Sequence, residues 1–232
     1  MEEHLDRLRA SLKTVGIQGW NETDGRRQLA GAARGVKEGY VRIAIRRWGQ
    51  PRVVMHRHPG APYPRRQLLR GVAVRTVPTR WPAGESGWAQ AKLSERLPAI
   101  LGRTEAPEAA EVLRLGPHGY LTEGTVSNLF FVADGRLVTA PHALGVLEGV
   151  TRAHVIRAAR RLKIPVLETP FTRHELFNAG EAFLTNVLMG ILPVREVDGR
   201  RIGRRAPGAI TRRLMIALRR AQRERGRGTR GK

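Results

Sequence analysis

The sequence contains no cysteine, few aromatic residues and far fewer acidic than basic residues. The absence of cysteine excludes disulfide bonds and thiolate metal sites, and we expect no metal centre. No run of 18 apolar residues occurs, so no transmembrane helix is predicted. The N-terminus, Met-Glu-Glu-His, lacks the apolar segment of a secretory signal. We therefore expect a cytoplasmic protein, whose 232 residues suffice for one large domain or two small ones.

The charge balance is strongly basic, with 42 Lys and Arg against 20 Asp and Glu and a formal net charge of +22. Such a charge is compatible with nucleic-acid binding, because cations that neutralise phosphates release counterions. The basic residues are spread along the chain, however, apart from a concentration at 212–232, and almost all are arginine. We interpret this bias as a compositional habit of the source genome, and we expect no nucleic-acid partner and no membrane partner.

Hydrophobic periodicity predicts an α+β protein with many short strands and no internal repeat. Apolar residues at three- and four-residue spacing predict helices over 2–15, Leu29–Val36, Leu93–Leu101 and Gly149–Leu162, and from Pro207 past Leu218. Alternating or continuous apolar runs predict strands over Tyr40–Arg46, Val53–Met55, Val72–Val77, 111–115, 127–133, 136–139, Ile164–Leu167, Ala182–Asn186 and Ile191–Val197.

These elements predict a division into domains. Thr79–Gln90 is rich in Pro, Gly and Trp and has no periodicity, which is typical of a linker. We therefore predict a small α/β domain over 1–80, a linker over 81–91 and a large domain over 92–218. The basic segment 219–232 is expected to be a disordered tail.

The segment Thr122–Asn128 places one carboxylate and a turn of small residues directly before the apolar run Leu129–Val132. Thr139–Pro141, Leu147–Arg152 and Phe183–Asn186 follow downstream, and Lys92 lies upstream. Together these segments resemble the large domain of the class IV aminotransferases, which are fold-type IV pyridoxal-phosphate enzymes. That family includes branched-chain and D-amino-acid aminotransferases and aminodeoxychorismate lyase. The resemblance implies a two-domain α+β fold, similar to branched-chain aminotransferases, and pyridoxal 5'-phosphate as the cofactor.

Lys92 and Glu123 are the candidates for cofactor chemistry. A lysine that bonds covalently to an aldehyde must lose a proton near neutral pH, which requires burial or nearby positive charge. Spacing alone favours a solvated lysine at position 92, whereas the resemblance assigns Lys92 the catalytic role. A glutamate beside glycine is more often an exposed turn residue. The resemblance instead makes Glu123 the fixed anion that keeps the pyridine nitrogen protonated.

The resemblance also assigns residues to the cofactor phosphate. Val150 and Thr151 follow Gly149 at a predicted helix start, where backbone N–H groups and the helix dipole attract anions. Arg7 lies in the segment His4–Leu8, which resembles a family helix whose arginine binds that phosphate, and the bidentate guanidinium suits this role.

Tyr40 and Arg42 resemble a strand that lines the substrate side in branched-chain aminotransferases. Two positions depart from the family pattern. Val187 lies where a phosphate-binding Ser or Thr is usual, so that we expect the cofactor phosphate to lose one hydroxyl donor there. Leu97 lies where branched-chain enzymes have a tyrosine, and lyase-like and D-amino-acid-type members have leucine. The chain also starts at the His-x-x-Arg-Leu helix, so we expect the small domain to be truncated at its N-terminus.

The activity that the resemblance implies is amino transfer between an amino acid and a 2-oxo acid, in a homodimer. A first alternative is aminodeoxychorismate lyase, which forms 4-aminobenzoate for folate synthesis; Leu97 and the run at 188–194 favour it. A second alternative is a non-catalytic, basic binding protein derived from this fold. The short N-terminus and Val187 motivate this second alternative.

Overall fold

The computed structural model describes residues 1–36, 38–48, 50–60, 63–80, 88–94 and 97–228. The chain divides into two compact units: Met1–Pro64 with Ala91–Glu95, and Arg65–Gln90 with Arg96–Lys232. The smaller unit contains helices α1 (Glu2–Thr14) and α2 (Glu22–Ala33) and strands β1 (Gly39–Trp48) and β2 (Gln50–Pro59). Within the described residues, no helix is both long and apolar enough to cross a membrane.

In the smaller unit, β1 and β2 pair antiparallel along their whole length, from Gly39 opposite Pro59 to Trp48 opposite Gln50. Leu5 and Leu12 are buried on one side of α1, as their spacing predicts. The helices are joined by Arg26 of α2, whose guanidinium donates to both oxygens of Glu2 at 2.7 and 2.6 Å. These hydrogen bonds lower the pKa of the Glu2 carboxyl below its ordinary value.

The larger unit contains most of the regular structure and one nine-stranded sheet. The elements of this unit are α3 (Arg65–Arg70), β3 (Val72–Arg80), α4 (Leu97–Glu105), β4 (Glu111–Leu115), β5 (Leu121–Gly124), β6 (Asn128–Ala133), β7 (Arg136–Thr139), a 3₁₀ turn (His142–Leu144), α5 (Val150–Arg161), β8 (Val166–Glu168), α6 (Arg173–Phe177), β9 (Glu181–Asn186), β10 (Gly190–Val197), β11 (Arg200–Arg201) and α7 (Ala209–Gly228). Strand β9 pairs with both β6 and β10, so that β10, β3, β4, β5, β6 and β9 form a closed ring of hydrogen-bonded strands.

Helices α5 and α7 pack on this sheet through a fully apolar core. Phe130 of β6 and Phe183 of β9 stack with ring centroids 5.2 Å apart. Val155 from α5 and Leu214 from α7 complete the same cluster, and all four side chains are inaccessible to solvent. The start of α7 is fixed by Glu181. Its carboxylate accepts the N–H groups of Ile210 and Thr211 and the Thr211 hydroxyl proton.

The mixture of helices and strands confirms the predicted fold class, but several predicted boundaries are wrong. The helix predicted over Leu29–Val36 is α2, which begins earlier because the Asn21 side chain caps it at the Asp24 N–H. The helix predicted from Leu93 begins at Leu97. The predicted strand at Ile164 begins at Val166.

The domain division also differs from the predicted one. Strand β3, which the boundary at residue 80 assigns to the small domain, pairs in parallel with β4 and β10 of the larger sheet. In the predicted linker, 81–87 lie outside the described residues, and Ala91 belongs to the smaller unit. The tail predicted from 219 is helical as far as Gly228. No proline or glycine interrupts α7 before Gly226, and the helix continues through that glycine.

Candidate functional site

The segment between β5 and β6 is a turn that one buried carboxylate organises. Glu111, at the start of β4, is only 2% exposed. The turn requires glycine at position 124, because a Cβ there would lie 2.3 Å from the Ser127 hydroxyl oxygen. The Glu111 oxygens accept hydrogen bonds from the N–H groups of Val112, Thr125 and Val126 and from the hydroxyl groups of Thr125 and Ser127.

Glu123 is buried at the head of this turn, where three donors hold its carboxylate. The Arg114 guanidinium donates to Oε1 at 2.5 Å, and both side chains are less than a tenth exposed. The Asn128 amide and the Leu147 N–H donate to Oε2 at 2.8 and 3.1 Å. Asn128 also donates to the Leu147 carbonyl at 2.9 Å and so connects the turn to the segment before α5. The exposed-turn interpretation of Glu123 is therefore wrong.

The start of α5 lies against the same turn. A Cβ on Gly149, the residue before α5, would lie only 2.1 Å from Asn128 Oδ1. Only glycine permits this close approach. No side chain caps the helix at Gly149, and Val150 and Thr151 form its first turn. Thr151 is 7% exposed.

Arg152 explains why the Thr139–Pro141 and Leu147–Arg152 segments occur together. The residue is 2% exposed, and its guanidinium donates to the Ala140 carbonyl at 2.9 Å. It also donates to Glu168 of β8 at 2.7 Å and lies 3.1 Å from His142 Nε2. Arg152 thus fixes the first turn of α5 to the sheet and is a structural residue.

The turn after β9 is joined to the β5–β6 turn by Asn186. Its amide donates to the Val126 carbonyl at 3.2 Å, and its Oδ1 accepts the N–H groups of Leu188 and Met189 at 2.9 Å each. Val187 lies between these contacts and is 61% exposed. This exposure contradicts a core role for Val187. Within the larger unit, Glu123, the start of α5 and Val187 therefore share one end of the sheet.

Lys92 and Arg7 are linked through Ser11 in the smaller unit. The Lys92 N–H donates to the Ser11 hydroxyl oxygen at 2.9 Å, and the same hydroxyl donates to the Arg7 carbonyl at 2.9 Å. Ser11 is 5% exposed, so this link is a buried one, whereas the Lys92 side chain is exposed and Arg7 is half-buried. The Ser11 hydroxyl thus connects the backbones of these two predicted residues.

Tyr40 and Arg42 occupy one face of β1. They lie directly opposite His58 and His56 of β2. The Tyr40 and His58 rings are stacked, with centroids 4.5 Å apart and 14° between their planes.

The described residues fit pyridoxal phosphate in two respects. Glu123 is a carboxylate fixed by three hydrogen-bond donors, which is what a protonated pyridine nitrogen requires as its partner. The start of α5 has no side-chain cap at Gly149, and the first N–H groups of a helix suit an anion such as a phosphate. Among the described residues, no group of three or more His, Cys, Asp or Glu could hold a metal ion.

Sequence reasoning missed Glu111 and Arg114, which support this site, and gave no role to Asn186 of the Phe183–Asn186 segment. The sequence carried a partial signal for Glu111 and Arg114, because both are charged residues within the predicted strand 111–115, whose five positions are all buried in the structure. A buried charge must be paired or hydrogen-bonded. That rule predicts partners for both side chains, but not which ones.

A family model described as amino-transferase class IV matches residues 1–197. A branched-chain-amino-acid aminotransferase of Escherichia coli K12 is 35% identical over 148 residues, which are 63% of this chain and 45% of that protein. The chain spans less than half the length of the first curated relatives that it matches.

Solved structures match over most of the chain. A branched-chain amino acid aminotransferase of Thermotoga maritima has a TM-score of 0.86 and 29% identity, covering 94% of this chain and 78% of that one. The 4-amino-4-deoxychorismate lyase of Pseudomonas aeruginosa has a TM-score of 0.83 and 29% identity, covering 94% and 84%. A further branched-chain aminotransferase structure, with a TM-score of 0.82 and 27% identity, is complexed with N-(5'-phosphopyridoxyl)-L-glutamate.

These matches settle the fold and the family. The fold is that of the branched-chain aminotransferases, as predicted. The chain belongs to the class IV aminotransferase family.

Proposed function

We propose that this protein binds pyridoxal 5'-phosphate and transfers an amino group between an amino acid and a 2-oxo acid. The observation that carries the proposal is the buried Glu123, held by Arg114, Asn128 and Leu147 beside the start of α5. Family membership and the phosphopyridoxyl ligand of one related aminotransferase structure support the choice of cofactor.

Glu123 would hold the pyridine nitrogen in its protonated form. The bound cofactor would supply an electron sink for the substrate's α-carbon. Because Arg114 and Asn128 fix the Glu123 carboxylate, it would be pre-organised for this role.

Val150 and Thr151 would bind the phosphate through the first N–H groups of α5, where the helix dipole favours an anion. Arg7 would add a charge-assisted hydrogen bond, and Val187 could contribute only its backbone. The phosphate contacts would hold the cofactor in place while its other end reacts.

Lys92 would attach the cofactor covalently through Nζ, and the freed amine would carry a proton to and from the substrate's α-carbon. Tyr40 and Arg42 would line the substrate side, with Arg42 binding a carboxylate. We further propose a homodimer, as the resemblance implies, and a cytoplasmic location.

Aminodeoxychorismate lyase is the second candidate activity. Leu97 favours it, and the Pseudomonas aeruginosa lyase is covered over a larger share of its length than the Thermotoga maritima aminotransferase. The two candidates share the cofactor and Lys92, and they differ in whether the amino group is passed on or pyruvate is eliminated. Product analysis with each substrate separates them.

The first test is borohydride reduction of the protein with pyridoxal phosphate. We expect a visible absorbance band that disappears on reduction and a phosphopyridoxyl mass on the peptide that contains Lys92. Lys92→Ala should abolish the label, and Lys163→Ala, at an exposed lysine of the larger unit, should leave it unchanged. A label on Lys13 or Lys163 would overturn the assignment, and no label on any lysine would favour the non-catalytic alternative.

The second test is Glu123→Gln, which keeps the size of the side chain and removes its charge. Turnover should fall far more than cofactor occupancy, because the pyridine nitrogen loses the anion that keeps it protonated. Occupancy is measured by absorbance and turnover by amino transfer. Near-normal turnover would show that Glu123 only organises the turn.

A further inference from the structure

A cavity of about 720 Å³ lies in the larger unit, at the end of the sheet away from Glu123. It is lined by residues of β3, of the turn between β4 and β5, of α6 and of the turn between β10 and β11. Strand β5 begins at this end and β10 ends there, whereas Glu123 and Val187 lie where β5 and β9 end. Because β10 is eight residues long, roughly 20 Å separate the cavity from the proposed cofactor site. The cavity is therefore distinct from that site.

Three basic side chains border this cavity, namely Arg173 and His174 of α6 and Arg200 of β11. All three are exposed, and among the described residues no carboxylate forms an ion pair with any of them. Of the described residues that line the cavity, only Asp198 is acidic. Its two oxygens already accept the Thr76 N–H and the Thr76 hydroxyl proton, at 2.7 and 2.8 Å. The cavity therefore offers an excess of cationic donors, which suits an anion.

The position of Arg200 is fixed by a tight turn and by an aromatic ring. The turn that joins β10 to β11 has φ of 51° at Asp198 and 78° at Gly199, and positive φ at both central residues is typical of a two-residue hairpin loop. The Arg200 Cζ lies 4.6 Å from the centroid of the Phe177 ring. Stacking on the ring leaves the N–H groups at the edge of the guanidinium plane available to a ligand. Arg200 is thus pre-organised to bind an anion.

The start of α6 is also fixed. The Glu175 carboxylate accepts the Thr172 N–H and the Thr172 hydroxyl proton at 2.8 and 2.9 Å, and Leu176 is fully buried. These contacts hold Arg173 and His174 at the wall of the cavity. They also engage the acidic residue next to His174, so that its carboxylate does not compete with a bound anion.

We infer that this cavity binds an organic phosphate, a small molecule with at least two negative charges and a body of the size of a sugar or a nucleoside. Arginine binds phosphate oxygens with two parallel hydrogen bonds, and Arg173, Arg200 and the His174 N–H supply donors from two elements. A lone inorganic ion would leave most of the space empty, since cavities of roughly 300–1,000 Å³ hold whole small-molecule ligands. The inference goes beyond the proposed function, because it uses none of the residues assigned to pyridoxal phosphate and requires no turnover.

The test is calorimetric titration of the pyridoxal-phosphate-treated protein with ADP, glucose 6-phosphate and inorganic phosphate. We expect a one-to-one complex with at least one of the two organic phosphates, about tenfold tighter than with inorganic phosphate. Arg173→Gln and Arg200→Gln should each weaken this complex about tenfold, because each removes a charge-assisted hydrogen bond. Arg220→Gln, at an exposed arginine of α7, is the control, since it lowers the net charge by the same amount and should leave binding unchanged.

Further measurements separate this site from general attraction to a basic protein and from the cofactor site. Phe177→Leu removes the ring beneath Arg200 and should weaken the complex about threefold. Arg173→Gln and Arg200→Gln should leave the affinity for pyridoxal phosphate unchanged. Binding with this dependence on the two arginines, in a protein without amino transfer, would support the inference while the proposed function fails.

Four results would overturn the inference. The first is that neither organic phosphate binds. The second is an equal loss of binding in Arg220→Gln, which would mean that only the net charge matters. The third is competition between the organic phosphate and pyridoxal phosphate, which would place the anion at the start of α5. The fourth is tighter binding of citrate, which would show that the cavity selects carboxylates.

Discussion

At the scale of single residues, the Arg114–Glu123 pair carries opposite charges into the interior of the larger unit. Each side chain is less than a tenth exposed, and their atoms approach to 2.5 Å. Taking either charge out of water is unfavourable, so each requires the other. The pair therefore couples the stability of the sheet to the negative charge of Glu123, which the proposed partner of the pyridine nitrogen must keep.

Arg114→Met should lower the free energy of unfolding by about 3–5 kcal/mol, because it leaves the Glu123 carboxylate buried without its cation. Arg114→Met combined with Glu123→Met should recover part of this loss, since no charge then remains unpaired. Urea denaturation measures the free energy of unfolding of both variants. Arg136→Met, at an exposed arginine of β7, should change stability by no more than about 0.5 kcal/mol. Losses that simply add in the double variant would contradict the coupling.

Val187→Ser is a second change at this scale. Because Val187 is 61% exposed, the substitution should change the free energy of unfolding by about 0.5 kcal/mol at most. If the position borders the cofactor phosphate, the new hydroxyl adds a charge-assisted hydrogen bond of roughly 1.5–3 kcal/mol. Cofactor affinity, measured by titrating the apo protein, should then rise about tenfold or more. Ile216→Ser, at a similarly exposed residue of α7, should leave cofactor affinity unchanged. Unchanged affinity in Val187→Ser would place the phosphate elsewhere.

At the scale of secondary-structure elements, the start of α5 depends on one glycine. Gly149→Ala would place a Cβ 2.1 Å from Asn128 Oδ1, so the helix start and the β5–β6 turn must move apart. We expect lower cofactor affinity and a lower melting temperature. Gly31→Ala in α2 is the matched control, because its added Cβ would meet no atom within 4 Å outside its chain neighbours and the backbone of its own helix. That variant should gain up to about 1 kcal/mol from helix propensity. Equal effects of the two substitutions would show that the contact at Gly149 is unimportant.

The elements also show what the sequence can and cannot predict. Helix α1 and strand β4 are predicted closely, because their apolar spacing reflects burial on one face or on both. Strand β5 is missed, since its four residues Leu121–Gly124 show no apolar alternation, and it forms by pairing with the neighbouring strands β4 and β6. The site shows the same limit. A motif identifies Glu123, but the partnership with Arg114 depends on the register of β4 against β5, which local spacing does not encode.

At the scale of the whole molecule, the acidic side chains are largely committed to structure. Glu111, Glu123 and Glu181 are bonded within the larger unit, as is Asp198, which accepts from the Thr76 N–H and hydroxyl. Many of the arginines, by contrast, are exposed in the C-terminal half of α5 and along α7. The net charge of +22 is thus carried mainly by the surface, where like charges repel one another.

Screening this repulsion should stabilise the protein. The distance over which exposed charges interact falls from about 30 Å at 0.01 M salt to about 8 Å at 0.15 M. We therefore expect the melting temperature to rise over this range of sodium chloride. A variant with Arg219, Arg220 and Arg223 changed to Gln carries a lower net charge at the exposed end of α7, so it should melt higher at low salt and gain less from added salt. Scanning calorimetry measures how the melting temperature of each protein changes with salt concentration. A melting temperature that falls as salt is added would mean that attractive ion pairs, such as the one between Arg26 and Glu2, outweigh the repulsion.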